Sequence, residues 1–425
     1  MSAVVDSKSA NITPQGYSAG ANLSTGRDKL DPDELLWANL QPWLTERGYK
    51  LRPRYQPGWK GSWLAEGFSG FQIDCEDFQK YYVSRRKTRN VLACLIIQIG
   101  RIYQQHPWVM DAVRVRDGAP VIFKRVKKSS NDAEELEMAR FLSQEAFVAD
   151  SQNHCVEIID ILDIPGSANE VLLVMPLLYE LRHRLEFETV GEVVDFFKQI
   201  IEGLQFMHQH NVAYRDCKED NILADSEGLY NERPHPLLLS GSYDGSRTLK
   251  QRYSTTRKPI RYYYIDFGLS KRYSSRTGNA EPSPWSAGIY DVPEFQVPLD
   301  TPTDPFPVDI YMLGMTIRRN YLEDFLVQEN IVSSRIGNLE WMEGLARDMT
   351  LENPAARPKI EEVVQRFDAL VKGLSTWKLR APANRMKNKL STGQNIRHWL
   401  TQASRIARFI PAVPKPPDRS TKAAK

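Results

Sequence analysis

Cysteine is scarce in this chain: four in 425 residues, Cys75, Cys94, Cys155 and Cys217, scattered and without Cys-x-x-Cys spacing. That excludes a disulfide framework and a structural zinc knuckle and fits a reducing compartment, so cytoplasmic or nuclear residence is expected. His154 beside Cys155 offers two ligands without partners and reads as loop ahead of a strand rather than as a metal pair. Long apolar runs are also missing. The longest clean one, Val91 to Ile97, is far too short to span a bilayer and reads as a buried strand or helix. Met1 to Arg27 is rich in Ser, Ala, Gly and Asn and lacks the apolar run of a secretory signal, so residues 1–34 read as a disordered arm. No internal repeat is visible, which removes solenoid and propeller architectures.

What is present matches an ordinary globular chain, with 41% hydrophobic and 26% charged residues and a length suited to two lobes with tails. The net charge of +3 hides an asymmetry. From Thr376 onward there are twelve Lys or Arg residues against Asp418 alone, which leaves the body near −8. Within that basic tail, residues 376–425, the apolar positions Ile396, Trp399, Leu400, Ala403, Ile406, Ala407 and Ile410 recur at helical spacing until Pro411. A basic amphipathic helix over 396–410 suits an anionic membrane or a partner groove, or it docks back on the acidic body. No nucleic-acid recognition motif accompanies it.

Residues 35–108 show aromatic-rich pieces but no clear period, and 84–108 fit no pattern at all. Beyond them the pattern sharpens. Val109 to Val115, Asp117-Gly118 and Val121 to Val126 predict a hairpin, and Asn131 to Phe147 a helix capped by Asn131 with Glu134. Strands are expected over Val156 to Ile164 and Val171 to Leu177. Thr189 and Glu192 form a capping box for a long helix whose stripe runs from Val193 to Met207. The Gly-, Ser- and Pro-rich stretch 225–258 reads as an inserted surface loop, and Ile260 to Ile265 as a strand.

Two segments concentrate chemistry: Tyr214-Arg215-Asp216-Cys217-Lys218-Glu219-Asp220-Asn221 and Asp266-Phe267-Gly268. Carboxylate and amide oxygens of this kind suit a hard divalent cation, and phosphoryl transfer needs such positioning rather than a covalent nucleophile. With Val121-Ile122-Phe123-Lys124 before them and Val292-Pro293-Glu294, Asp309-x-x-x-x-Gly314 and Arg357 after them, the chain resembles the eukaryotic-type protein kinase family over roughly residues 109–372. It looks in particular like a group of fungal kinase-domain proteins.

The resemblance implies an α+β, bilobal protein kinase-like fold, with a small β-rich N-lobe over 35–178 and a larger helical C-lobe over 179–375. It implies ATP and Mg2+ as cofactors and protein hydroxyls as acceptors. Lys124 would contact the ATP phosphates and pair with a helix glutamate. Glu135 is the choice over Glu134 and Glu137, because Ala139 and Leu142 share its face and would turn it inward. Asp216 would be the catalytic base, Lys218 would steady the transferred group, and Asn221 and Asp266 would hold the metal. Adenine would meet the Pro176 carbonyl and the Leu178 N–H. Lys218 favours serine/threonine acceptors, and Arg215 could receive a phosphate carried by Ser270, Ser274, Ser275, Thr277, Ser283 or Ser286.

Three departures stand against the family pattern. Tyr214 replaces the usual His, Pro176 sits at the hinge, and no Gly-x-Gly-x-x-Gly precedes Lys124 at the usual distance. Gly58, Gly61, Gly67 and Gly70 lie too far upstream unless residues 75–108 are an insertion. A pseudokinase scaffold is therefore the alternative to an active serine/threonine kinase. A small-molecule phosphotransferase is a third reading, opposed by Lys218 and Val292-Pro293-Glu294.

Overall fold

A computed structural model of the chain describes residues 30, 32–60, 107–129, 132–181, 185–236, 238–243, 248–278, 280–282, 292–298, 301–327, 330–333, 335–386 and 390–417. The architecture is bilobal, a curled antiparallel sheet set against a helical body. Five strands form the sheet, β1 (Tyr49–Lys50), β2 (Val109–Arg114), β3 (Pro120–Lys127), β4 (Asp160–Asp163) and β5 (Glu170–Pro176), in spatial order β1-β2-β3-β5-β4. The β2–β3 hairpin forms as its sequence predicts, with Gly118 at φ +69°, a left-handed turn position where a side chain would be strained.

Strand alternation decides what each face meets. Val121 and Phe123 point to one side with Leu172 and Val174, and there they bury helix α1 (Pro32–Glu46) through Trp37, Leu40 and Leu44. Trp37 stacks on Phe123 at 6.3 Å and Tyr49 meets it edge-on at 5.3 Å. Lys124 and Val126 point to the other side, toward helix α2 (Asp132–Leu142), where Val126 clusters with Leu136, Ala139 and Leu173. A slip of one residue would exchange these faces and bury Lys124 beneath Trp37. The part of 35–108 that reads as irregular is thus, over 35–50, a packed helix and an edge strand of the sheet. The expectations for residues 61–106 fall outside the described residues.

Several predicted elements differ in extent. The single helix expected over 131–147 is two, α2 and a short α3 (Glu145–Val148). The Asn153 side-chain amide donates to the carbonyls of Leu142 (3.2 Å) and Phe147 (2.8 Å), while the Ser143 hydroxyl accepts from Ile158 N–H at 2.9 Å. One side chain from the following loop, Asn153, therefore satisfies a carbonyl at the end of each helix. The Asn131 cap lies outside the described residues. The strand expected from Val156 starts only at Asp160, because Val156 N–H is already given to the Tyr264 carbonyl of the helical body, 2.9 Å.

The body is built on helix α4 (Val190–Gln209), capped by Thr189, whose side chain accepts from Glu192 N–H. Glu192 does not return to the cap as a capping box requires. One of its oxygens accepts from Glu188 N–H at 2.7 Å, and the other from Thr256 N–H and hydroxyl at 2.8 and 2.6 Å. Thr255 and Thr256 are consequently buried, so the end of the expected surface loop 225–258 is pinned in the core. Earlier in the same stretch Pro234–His235 and Leu238–Ser242 pair as a two-stranded ribbon, and Arg233 donates to the Gly118 carbonyl in the β2–β3 turn, 3.0 Å. Below α4 lie α5 (Pro305–Ile317), α6 (Glu343–Met349) and α7 (Ile360–Lys372).

The tail continues as α8 (Thr376–Leu379) and α9 (Thr392–Ala407), the latter opened by a Ser391–Gln394 capping box. It docks on the body through polar groups. His398 meets the Arg380 carbonyl at 2.8 Å, and Gln402 and Arg405 reach Glu188 at 3.1 and 2.8 Å. The apolar face faces outward instead, with Ile396 58%, Leu400 66% and Phe409 94% exposed. Past α9 the chain crosses the start of α4, where a Cβ on Gly191 would lie 2.0 Å from the Ala412 carbonyl oxygen. Gly191→Ala is therefore expected to lose about 1–3 kcal/mol in urea titrations and to make 408–417 protease-sensitive. Unchanged stability with a protected tail would contradict this crossing.

Candidate active site

Lys124 leaves β3 on the face opposite Trp37, and its ammonium meets two carboxylates: Glu135 Oε1 at 2.5 Å and Asp266 Oδ1 at 2.8 Å. Glu135 is the inward glutamate of α2, on the face of the buried Ala139 and Leu142, while Glu134 and Glu137 point to solvent. Burial alone would lower the Lys124 pKa, but the two carboxylates outweigh it and hold it above the ordinary lysine value. Partial removal from water pushes Asp266 upward. The charge and hydrogen bond of Lys124, with Gly268 N–H and the Lys218 charge, win and hold it below the usual carboxylate range.

The Tyr214–Asn221 loop is held from beneath by Asp309, fully buried on α5. Its oxygens accept from Tyr214 N–H (2.8 Å) and Arg215 N–H (2.6 Å), with His208 Nε2 at 3.0 Å. Arg215 sits at φ +68°, a left-handed conformation uncommon for a long side chain and sustained by those bonds. Thr316 adds a hydrogen bond to the Cys217 carbonyl, 2.7 Å. At the top of the loop, Asp216 Oδ2 accepts from Lys218 Nζ (2.7 Å) and Asn221 Nδ2 (2.6 Å). With its amide nitrogen on Asp216, Asn221 turns Oδ1 to the other side, where it can act as a ligand. Burial raises the Asp216 pKa above the ordinary value, against the charge and hydrogen bonds of Lys218 and the hydrogen bond of Asn221.

Backbone pairing joins the two halves. Strands Ile222–Ala224 and Tyr262–Tyr264 pair antiparallel, and Ile265 N–H donates to the Asn221 carbonyl at 3.0 Å. Asp266 then turns at φ +57°, which aims its carboxylate at Lys124. Tyr214 fills the space behind, edge-on to Phe267 at 5.9 Å, and donates its hydroxyl to the Ile265 carbonyl at 2.5 Å. An aromatic ring thus occupies this position and adds a hydrogen bond. Lys124, Glu135, Asp216, Lys218, Asn221 and Asp266 therefore converge on one cleft.

Pro176 ends β5 and Leu178 follows at the junction of the lobes, with Leu177 N–H given to the Pro120 carbonyl at 3.2 Å. The β1–β2 connection, where a phosphate-covering loop would lie, runs over residues 51–108. Gly58 falls in it, at φ +74°, and Gly61, Gly67 and Gly70 follow outside the described residues. Gly58 thus lies between β1 and β2, where such a loop is expected in strand order. Further down, Glu294 and Arg357 form a buried bidentate pair at 2.5 and 2.8 Å, with the guanidinium 4.7 Å from the Tyr311 ring centre.

Sequence reasoning missed Glu281. Its carboxylate takes Arg215 Nη1 at 2.8 Å and Lys271 Nζ at 2.5 Å, the place expected to receive a phosphate. Ser270 is no phosphate carrier in this arrangement, because it is buried and donates to the Tyr214 carbonyl at 3.1 Å. Ser283 and Ser286 lie outside the described residues. No local pattern marks Glu281, since its partners come from eight, ten and sixty-six positions away.

A two-lobed fold with an amine and its glutamate above a braced acid–amide loop is the arrangement of a protein kinase domain. The chain belongs to the protein kinase family: the protein kinase domain profile matches residues 106–381. Among curated relatives, human myosin light chain kinase 3 is 26% identical over 305 residues, 67% of this chain and 32% of that protein. A probable cell division protein kinase from Encephalitozoon cuniculi is 26% identical over 145 residues, 33% of this chain and 50% of that protein. A 38-residue stretch is 45% identical to a probable serine/threonine-protein kinase, an MRK1 homolog, of the same organism, covering 9% of this chain and 12% of that protein. The chain thus spans half or less of these relatives. Glu294→Gln is expected to destabilise the C-lobe by about 3–5 kcal/mol, because it leaves Arg357 buried without its counter-charge. Chemical denaturation measures this, and a loss below about 1 kcal/mol would show that the pair is dispensable.

Proposed function

We propose that the chain is an active serine/threonine protein kinase that moves the γ-phosphoryl group of ATP to a protein hydroxyl with magnesium assistance. The observation that carries the reading is the bridged Lys124, bonded to Glu135 and Asp266 beside an Asn221 whose amide oxygen is turned away from Asp216. This donor set fits the group: one amine for phosphate oxygens, and a carboxylate and an amide oxygen for a hard cation. Magnesium, when bound, neutralises phosphate charge. Lys124, held in place by Glu135, would orient the α- and β-phosphates. Asp216 orients the acceptor hydroxyl and takes its proton, and Lys218 supplies positive charge beside it. The Pro176 carbonyl and the Leu178 N–H would hold the adenine. Because Leu177 N–H is used by Pro120, alternation along the extended chain directs the Leu178 N–H the other way, which supports that contact.

The alternative, a nucleotide-binding scaffold, draws on the sequence, in which no Gly-x-Gly-x-x-Gly precedes Lys124 at the usual distance. Two measurements separate the readings. Saturating Mg-ATP should raise the melting temperature by the equivalent of about 2.7 kcal/mol at a hundredfold excess over Kd, and Lys124→Met should abolish the rise. Phosphate transfer to myelin basic protein should fall at least a hundredfold in Asp216→Asn; stabilisation without transfer in the unaltered chain would favour the scaffold. Asp216 must be ionised to accept a proton, so its raised pKa moves the acid limb of kcat above that of an ordinary aspartate. Lys218→Met removes a lowering influence and should shift that limb further up in pH; an unmoved limb would exclude Asp216 as the base.

The tail suits an anionic lipid surface. Helix α9 docks by its polar side and presents Ile396 and Leu400 outward beside Arg397, with exposed Arg408 and Phe409 just past its end, in a segment with a surplus of eleven positive charges. Vesicles containing phosphatidylserine should sediment the chain, and Leu400→Glu should reduce that several-fold. Equal binding to neutral vesicles, or none to either, would refute this assignment.

A further inference from the structure

The carboxylate of Glu281 gathers three donors. Arg215 Nη1 lies 2.8 Å from Oε1 and Lys271 Nζ 2.5 Å from Oε2, and the Tyr273 hydroxyl also donates to Oε1. Each donor belongs to an element next to the candidate catalytic groups. Arg215 directly precedes Asp216 and holds a left-handed backbone. Lys271 lies in the strand Lys271–Arg272, which pairs with Val212–Ala213 just ahead of the loop, in the register Lys271 with Ala213. The same strand carries Arg272, whose guanidinium lies 4.1 Å from the ring centre of Phe141 on α2, the helix of Glu135. Tyr273 N–H closes the set on the Asn211 carbonyl, 2.8 Å. Glu281 is itself fixed, since Glu281–Pro282 pairs antiparallel with Pro302–Thr303 ahead of α5.

Two like charges, Arg215 and Lys271, would repel without an anion between them, and Arg215 is nearly buried, with its side chain 11% exposed. A free guanidinium there would pull toward water and take the Arg215–Asp216 peptide with it. The fold supplies the anion from its own chain, and both carboxylate oxygens are used. An added phosphate would have to expel Glu281 to reach these cations.

We infer that Glu281 is a positioning residue that holds Asp216 through Arg215, as a built-in carboxylate where a regulatory phosphate would otherwise be needed. The chain is therefore competent without phosphorylation of its 270–298 segment. This rests on the kinase reading above and adds to it the mode of regulation.

The test uses the full-length chain treated with a broad-specificity phosphatase, the phosphatase then being removed, with ATP and myelin basic protein as probes. Phosphate-free protein should keep its kcat within twofold. Glu281→Gln should lower kcat at least tenfold with the KM for ATP within twofold, and Glu281→Asp, which keeps the charge, should recover most of it. A tenfold loss on dephosphorylation, or full activity in Glu281→Gln, would overturn the inference. If the unaltered chain transfers no phosphate, the kinase reading fails separately, and amide hydrogen exchange decides the positioning role. Amides of 214–221 should then exchange at least tenfold faster in Glu281→Gln than in either the parent or Glu281→Asp, and equal rates in all three would refute it.

Discussion

The ammonium of Lys124 has two carboxylate neighbours, Glu135 at 2.5 Å from the N-lobe helix and Asp266 at 2.8 Å from the body, and the relation of the lobes depends on that one charge. A half-buried amine favours a partner, and here the pairing groups come from separate elements. Satisfying Lys124 therefore brings α2 down on the sheet and draws the Asp266 turn up to the cleft. The cluster carries one cation against two anions, with the Asp266 side chain 48% exposed toward solvent. Such a site has both an amine for phosphate oxygens and an unneutralised carboxylate for a metal.

A second constraint fixes the lower half. Asp309 takes two consecutive N–H groups of the loop and so holds Arg215 in a conformation that its own preferences disfavour. From that point the chain can go only where Asp216 meets Lys218 and Asn221. Glu281 secures the Arg215 side chain while Asp309 secures its backbone. The Tyr214–Asn221 loop is thus held from two directions by buried or half-buried carboxylates, neither of which is among the residues proposed to touch substrate.

Much of this was readable in the sequence where a residue's surroundings are local. The inward choice of Glu135 follows from Ala139 and Leu142 on its own helix face, and the β2–β3 hairpin from its Asp-Gly turn. Long-range partners were not readable. Helix α1 hides its stripe because Gln41 is buried among Trp37, Leu40 and Leu44, accepting from Leu51 N–H at 2.7 Å, and because Pro42, a residue that usually breaks helices, stands inside it. The α2–α3 break depends on Asn153, and the course of 155–156 on Tyr264. Glu192 has the right spacing for a capping box and is claimed instead by Thr256, 64 positions away. The tail stripe was periodic, yet periodicity did not reveal that its polar side is the one that docks.

The most direct test of the central claim is a crystal structure of the chain soaked with a non-hydrolysable ATP analogue and magnesium. The account predicts phosphate oxygens within hydrogen-bonding distance of Lys124 Nζ, and a cation bound by Asn221 Oδ1 and the Asp266 carboxylate. A nucleotide bound elsewhere, or Lys124 still paired with Asp266 and no metal between Asn221 and Asp266 at saturating nucleotide, would contradict it.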